Sequence, residues 1–86
     1  MTRRLGDAMN ITELRARLER SKLHPSEYYV LRPVTADGYY IARLKDGWEV
    51  GLSTGGGWPP RESKVFSDES DACEYLWNLI VADGRA

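Results

Sequence analysis

Few residues of this 86-residue chain have the chemistry that an active site requires. The single histidine, His24, stands directly before Pro25 at the end of a helical pattern. The sequence does not pair any serine or cysteine nucleophile with a general base. A structural or capping role is therefore expected for His24. The single cysteine, Cys73, falls on the apolar stripe of the last predicted helix, where a free thiol behaves as a small hydrophobic group. Neither residue indicates nucleophilic or acid–base catalysis.

Two further patterns have only a superficial likeness to ligand-binding motifs. A phosphate-binding loop needs a lysine and a hydroxyl residue entering a helix, but the glycines at 55–57 are followed by Trp58 and two prolines. Carboxylates gather near the start of the last predicted helix, where the positive end of the helix dipole stabilises them; they are Asp68, Glu69, Asp71 and Glu74. With one histidine and no cysteine cluster, a transition-metal site is not expected. The sequence thus predicts that the protein is not an enzyme and uses no metal or cofactor.

Length and composition are those of a small globular domain. A chain of 86 residues fits one domain, and its single cysteine excludes an internal disulfide and fits a reducing compartment. No run approaches the roughly 18 apolar residues of a membrane span. The first residues include two arginines but lack the apolar run of a signal peptide. We therefore expect a cytoplasmic protein that does not contact a membrane.

The charge is small overall and unevenly distributed. A net charge of −1 argues against a nucleic-acid ligand that is bound by neutralising its phosphates. Residues 1–24 carry six basic and three acidic side chains, a balance of +3, whereas residues 67–86 carry one basic and five acidic side chains, a balance of −4. One interpretation is two solvated helix faces that attract each other weakly. The other is an acidic surface that meets a basic partner.

Helical patterns lie near both ends of the chain. Residues 1–9 lack periodicity and are predicted to form a disordered leader, with Met9 as a second possible start of translation. Asn10 is a favoured N-cap and Glu13 can close a capping box with it, which predicts a helix over residues 11–23. A second helix is predicted to begin at Ser67 or Asp68 and to end at a C-cap formed by Asp83 and Gly84.

Four strand-like runs lie between the helices, at residues 27–32, 39–44, 48–53 and 62–66. Asp46 and Gly47 join the second and third runs; this pair is preferred in tight hairpin turns whose central residues need positive φ. A turn signal ending at Gly38 separates the first two runs. Because these turns are short, residues 10–86 are predicted to form a single α+β domain. It is a four-stranded antiparallel meander with an N-terminal and a C-terminal helix packed on one face, in the order α-β-β-β-β-α.

Aromatic side chains exceed what one covered sheet face can bury. Each of the Tyr-Tyr pairs at 28–29 and 39–40 should place one ring on the open face or the rim, and Tyr28 and Tyr40 are the candidates. Trp58, on its loop of glycines and prolines, is a third candidate, since Tyr and Trp often anchor protein interfaces. The alternatives are ordinary half-exposed sheet surface for the tyrosines and, for Trp58, a ring that folds back over the core.

Two segments resemble a family of small bacterial proteins. The sequences WEVGL at 48–52 and VFSDESDACEYL at 65–76, with a Gly-rich loop between them, are similar to immunity proteins of polymorphic-toxin and contact-dependent inhibition systems. Those proteins show a W-x-V strand, a glycine-containing turn and an acidic entry into a closing helix. With the preceding helix-strand-strand order, the resemblance covers residues 10–82. The charged Glu-Arg-Gly that commonly follows the tryptophan strand is replaced here by Ser53, Thr54 and Gly55.

The resemblance implies a protein that binds and blocks the toxin encoded beside it. The partner would be a toxin domain with a basic cleft that faces the acidic start of the last helix. The partner-binding residues would then be Tyr28, Tyr40, Trp58, Asp68, Glu69, Asp71 and Glu74. The alternative is a small adaptor or regulatory domain of a bacterial or phage system that binds another protein through the same sheet face. A third alternative is a nucleic-acid ligand bound by the tyrosines and by the arginines at 3, 4, 15, 17 and 20. The acidic last helix and the charge-balanced middle of the chain argue against it.

Overall fold

The structure, a computed structural model, describes residues 9–53 and 62–86. These residues form two α-helices, a short 3-10 helix and four strands, in the predicted α+β class and order. The elements are α1 (Ile11–Glu19), the 3-10 helix (Pro25–Glu27), β1 (Tyr28–Val30), β2 (Gly38–Leu44), β3 (Gly47–Ser53), β4 (Glu62–Phe66) and α2 (Glu69–Ala82). Most of the predicted leader and the loop that carries Trp58 lie outside the described residues.

The sheet has the strand order β1-β2-β3-β4, but it is mixed, so the predicted antiparallel meander is wrong at its first connection. β1 pairs with β2 in parallel, with Tyr28 opposite Tyr39. The backbone of Leu31 takes a left-handed conformation, with φ 58°, directly after β1. Residues 31–37 then return along the sheet, and because β1 has only three residues, this connection can be shorter than a usual crossover.

Gly38 begins β2 at a point where the chain passes close to itself. Its φ is +155°, and a Cβ at this position would lie 2.6 Å from the carbonyl oxygen of Glu27. The turn signal that ends at Gly38 therefore marks a close approach to the 3-10 helix, and the hairpin expected there does not form.

The hairpin of β2 and β3 is confirmed, but its turn differs from the predicted one. Leu44 pairs with Gly47, so the two connecting residues are Lys45 and Asp46. Neither of them has positive φ, and the expected Asp-Gly turn geometry is therefore wrong. Gly47 is required for another reason, since a Cβ there would collide with the carbonyl oxygen of Phe66 on β4.

The helix ends follow from local hydrogen bonds. Asn10 caps α1 by accepting from the Glu13 N–H at 2.8 Å, but the Glu13 carboxylate accepts from Arg17 Nε and does not reach back to complete a capping box. α1 also ends at Glu19, earlier than predicted. Asp68 caps α2, and at the other end Gly84, with φ +74°, forms a Schellman motif. In that motif the N–H groups of Gly84 and Arg85 donate to the carbonyls of Val81 and Ile80.

The two α-helices lie side by side and run in the same direction. The Ile11 N–H donates to Glu69 Oε2 at 2.9 Å near the helix starts, and the Lys22 N–H donates to the Arg85 carbonyl at 3.0 Å near their ends. α2 lies across β2, β3 and β4, and α1 packs against α2. This arrangement agrees in outline with two helices on one face of the sheet.

One hydrophobic core joins both helices to one sheet face. Its largest fully buried side chains are Leu14, Leu18, Ile41, Val50, Cys73, Leu76 and Ile80. Met9 also belongs to this core, with 5% of its surface exposed, and its N–H donates to Ser70 Oγ. Met9, the last residue of the predicted leader, is thus packed against the domain.

Candidate functional site

The two residues with intrinsic reactivity have structural roles. His24 caps the 3-10 helix, since its Nδ1 accepts from the Ser26 N–H at 3.2 Å and its own N–H donates to Glu27 Oε1 at 2.7 Å. The capping role predicted for His24 is thus confirmed. Cys73 is fully buried in the core, and burial raises the pKa of its thiol to about 12. Nucleophilic attack requires an accessible thiolate. Packing blocks access to this thiol, and its raised pKa keeps it protonated at neutral pH.

We predict that Cys73 resists thiol reagents in the folded protein. A chromogenic disulfide reagent at mildly alkaline pH should find almost no reactive thiol in the native chain, and one thiol per chain after unfolding in guanidinium chloride. The matched control is Val81→Cys in a Cys73→Ser background, because Val81 is 48% exposed on the same helix. Rapid labelling of native Cys73, at a rate similar to that of the control thiol, would contradict the buried position.

The described residues hold no group of three or more His, Cys, Asp or Glu side chains placed to bind a metal ion. In the same part of the chain, no helix is long and apolar enough to cross a membrane.

The acidic start of α2 is partly used to hold the fold together. Asp68 caps the helix by accepting from the Asp71 N–H at 3.0 Å, and Glu69 accepts from the first N–H of α1. Because α1 and α2 are parallel, the positive ends of both helix dipoles lie together, and carboxylates there are stabilising. Asp71 is exposed, whereas Glu74 is half-buried and takes part in a further interaction. Three of the four carboxylates predicted to bind a partner, Asp68, Glu69 and Glu74, are thus engaged in other interactions.

The predicted aromatic contacts do not form one surface. Tyr28 is half-buried on the helix side of the sheet, where it lines a shallow groove of about 240 Å³ with Arg15, Glu19, Val30 and Arg32. Tyr40 lies on the opposite face, yet only 4% of its surface is exposed. Its hydroxyl donates to Glu49 Oε2 at 2.9 Å, and burial together with this hydrogen bond raises the pKa of Tyr40. Trp58 lies outside the described residues. The structure therefore separates Tyr28, Tyr40 and the acidic helix start.

A surface that the sequence analysis did not single out lies on the sheet face away from the helices. Strand register places Ala42, Glu49 and Val65 in one row across β2, β3 and β4. Leu31 extends this row beyond β1, since its N–H donates to the Ile41 carbonyl, and Leu44 lies two residues along β2. We call these five residues the open-face patch. In the sequence, the only signal for this surface is the period-two spacing of Ala42 and Leu44 on β2, which places both on the same face as Tyr40.

The open-face patch exposes apolar side chains around one carboxylate. The exposed fractions are 43% for Leu31, 36% for Leu44 and 61% for Val65. Next to Leu31 and Ala42 is an open groove of about 400 Å³, whose other lining residues are Arg32, Pro33 and Arg43. Exposed large apolar side chains that gather in one area, rather than singly, are typical of interaction surfaces.

The charged groups near the patch differ in how they are engaged. Arg32 donates to the carbonyls of Pro25 and Tyr28 and lies 4.8 Å from the centre of the Tyr29 ring. Arg43 lies over the Trp48 ring at 4.7 Å. Glu49, by contrast, forms no ion pair with any described residue.

Comparison with known proteins gives no match: no family model fits the chain, and no curated protein and no solved structure is significantly similar to it.

Proposed function

We propose that this chain is a non-catalytic immunity protein that binds and blocks a cognate bacterial toxin domain in the cytoplasm. The observation that carries the proposal is the open-face patch, where Leu31, Leu44 and Val65 expose apolar surface on a sheet face that the helices leave free. Apolar side chains that stay exposed to water do not stabilise the fold of a small domain. They would contribute to affinity if a protein partner covered the patch. The resemblance of residues 48–52 and 65–76 to immunity proteins supplies the class of partner.

The acidic start of α2 supports the same proposal in a different way. Toxins that act on nucleic acids or nucleotides tend to have basic clefts, which a negatively charged helix end complements. Asp71 is exposed there, next to a helix end whose other carboxylates add to the local negative potential. Charges at the edge of an interface chiefly increase the rate and the orientation of encounter. We therefore assign the helix start to steering and the apolar patch to affinity.

Charge reversal at the helix start is predicted to slow association with the toxin domain encoded beside this gene. Asp71→Lys with Glu74→Lys should lower the association rate constant about 10-fold at low salt, because steering is lost. The difference should shrink at high salt, where exposed charges are screened. Surface plasmon resonance measures both rate constants. Asp37→Lys, an exposed change near the opposite end of α2 from the acidic start, is the control. An unchanged association rate at low salt would contradict a steering role.

The competing function is a small adaptor or regulatory domain that uses the same sheet face on a partner other than a toxin. Affinity purification of the tagged protein from its native cells, followed by mass spectrometry, separates the two functions. Recovery of one toxin domain in stoichiometric amount, with a dissociation constant in the nanomolar range of tight inhibitors, supports immunity. Stoichiometric recovery of a housekeeping protein instead supports the adaptor function.

A further inference from the structure

We propose that Glu49 is the polar centre of the toxin-binding surface and receives one lysine or arginine side chain of the toxin. Leu31, Leu44 and Val65 would pack against apolar side chains around that cation. This inference rests on the proposed immunity function and adds the binding surface and the chemistry of the partner residue that fits it.

Glu49 is held in position before any partner arrives. Its Oε2 accepts from the Tyr40 hydroxyl at 2.9 Å, and the Tyr40 ring is 4% exposed, so the hydrogen-bond donor is fixed by its packing. A carboxylate has about four acceptor positions, and one hydrogen bond leaves most of them available. An oriented side chain loses less conformational freedom on binding than a mobile one, which favours affinity. Tyr40 thus acts as a positioning residue for Glu49.

The surroundings of Glu49 specify a cation as its partner. In the row across the sheet, Glu49 stands between Ala42 and Val65, and no described residue forms an ion pair with it. The two nearby arginines, Arg32 and Arg43, are engaged with carbonyls and aromatic rings. A partner that covered the patch with apolar groups alone would bury an unpaired carboxylate, which is strongly unfavourable. A basic side chain ringed by apolar contacts avoids that cost and excludes water from the pair.

The same carboxylate disfavours a second copy of this chain as the occupant. In a two-fold symmetric dimer, the same patch contributes to both sides of the interface. The two Glu49 side chains would then be brought toward each other in an apolar setting, where like charges repel. The patch is therefore assigned to a different protein, and the proposed function identifies that protein as the toxin domain.

The test is calorimetric titration of the full chain with the purified toxin domain encoded beside its gene. Glu49→Gln keeps the shape of the side chain and removes its charge, and we expect the dissociation constant to rise about 10- to 100-fold. Val65→Ser should raise it about 10-fold, and Tyr40→Phe about 3- to 10-fold because the carboxylate loses its fixed orientation. Matched controls are Glu19→Gln and Val81→Ser, an exposed glutamate and an exposed valine outside the patch. These should stay within about twofold of the wild type.

Measurements of the binding rate constants and of hydrogen exchange in the complex distinguish the loss of a binding contact from a loss of folding stability. The loss in Glu49→Gln should lie in the dissociation rate, whereas the charge reversal at α2 changes the association rate. Hydrogen exchange of the wild-type complex should show new protection at the turn end of β2 and β3 and in β4. Wild-type binding with no such protection, and with Glu49→Gln equal to Glu19→Gln, overturns this inference but leaves the immunity function standing. Absence of wild-type binding to the toxin domain overturns both.

Discussion

Truncation of Leu76 to alanine is expected to destabilise the folded chain by about 2–5 kcal/mol, because it leaves a cavity in a closely packed core. Leu76 lies on α2, is fully buried and belongs to the core that joins both helices to the sheet. A chain of 86 residues, at roughly 0.05–0.15 kcal/mol per residue, has a total stability of only about 4–13 kcal/mol. The substitution therefore removes a large fraction of the stability. Urea denaturation followed by tryptophan fluorescence measures the change.

Val81→Ala is the matched control for this truncation. Val81 lies on the same helix but is 48% exposed, so its loss should change the free energy of unfolding by no more than about 0.5 kcal/mol. Similar values for the two variants would mean that α2 does not pack on the sheet through the side that contains Leu76.

The second large effect is expected at Gly47, where alanine should destabilise the fold by about 1–3 kcal/mol or more. A Cβ at this position collides with the backbone carbonyl of Phe66, and a backbone atom cannot move aside as a side chain does. β4 must then shift away from β3, which weakens the sheet edge and moves the start of α2. Urea denaturation gives the total cost, and hydrogen exchange should show lost protection in β4.

Gly84→Ala separates this steric effect from the cost of backbone conformation. Gly84 has φ +74° with no atom within 4 Å of the position of a Cβ, so its substitution adds only the strain of a left-handed backbone, about 1–2 kcal/mol. Gly84→Ala should therefore leave β4 exchange unchanged. If Gly47→Ala were tolerated better than Gly84→Ala, the close approach of β4 to the hairpin turn would be excluded.

Elements with strong local signals were predictable from the sequence. The β2–β3 hairpin follows from two strand-like runs joined by a short turn signal at Asp46 and Gly47, and α2 follows from the acidic cap at Asp68 and the glycine C-cap at Gly84. In each case neighbouring residues contain the information, so no tertiary contact has to be known. The capping role of His24 was predictable for the same reason, since it depends on Pro25 and the residues just after it.

The errors arise where distant contacts decide the structure. The parallel pairing of β1 depends on the left-handed backbone of Leu31, a conformation that leucine rarely adopts and that no local pattern indicates. Lys22 lies in the predicted first helix, but its N–H instead donates to the Arg85 carbonyl at the far end of the chain. Gly47 resembles a turn residue in the sequence, yet its role comes from β4, about twenty residues later.

The candidate site was predicted in part, because exposure is a tertiary property. Tyr40 was expected to offer an aromatic ring to a partner; it lies on the expected face but is buried and orients Glu49 instead. Asp68 and Glu69 were expected to bind a partner, and their side chains are hydrogen-bonded to helix N–H groups, one of them on the other helix. The open-face patch appears only when the strand register brings Glu49 beside Val65.

We propose above that this chain binds a toxin and blocks it without chemistry of its own. It is tested by titration of the proposed cognate toxin domain, purified separately, with toxin activity as the readout. We expect toxin activity to fall linearly with added chain and to be abolished at equimolar chain, while both proteins keep their intact mass. Activity should return when the complex is separated in denaturant and the toxin is refolded. Toxin activity that stays unchanged with excess folded chain would contradict the claim, and so would covalent modification of the toxin.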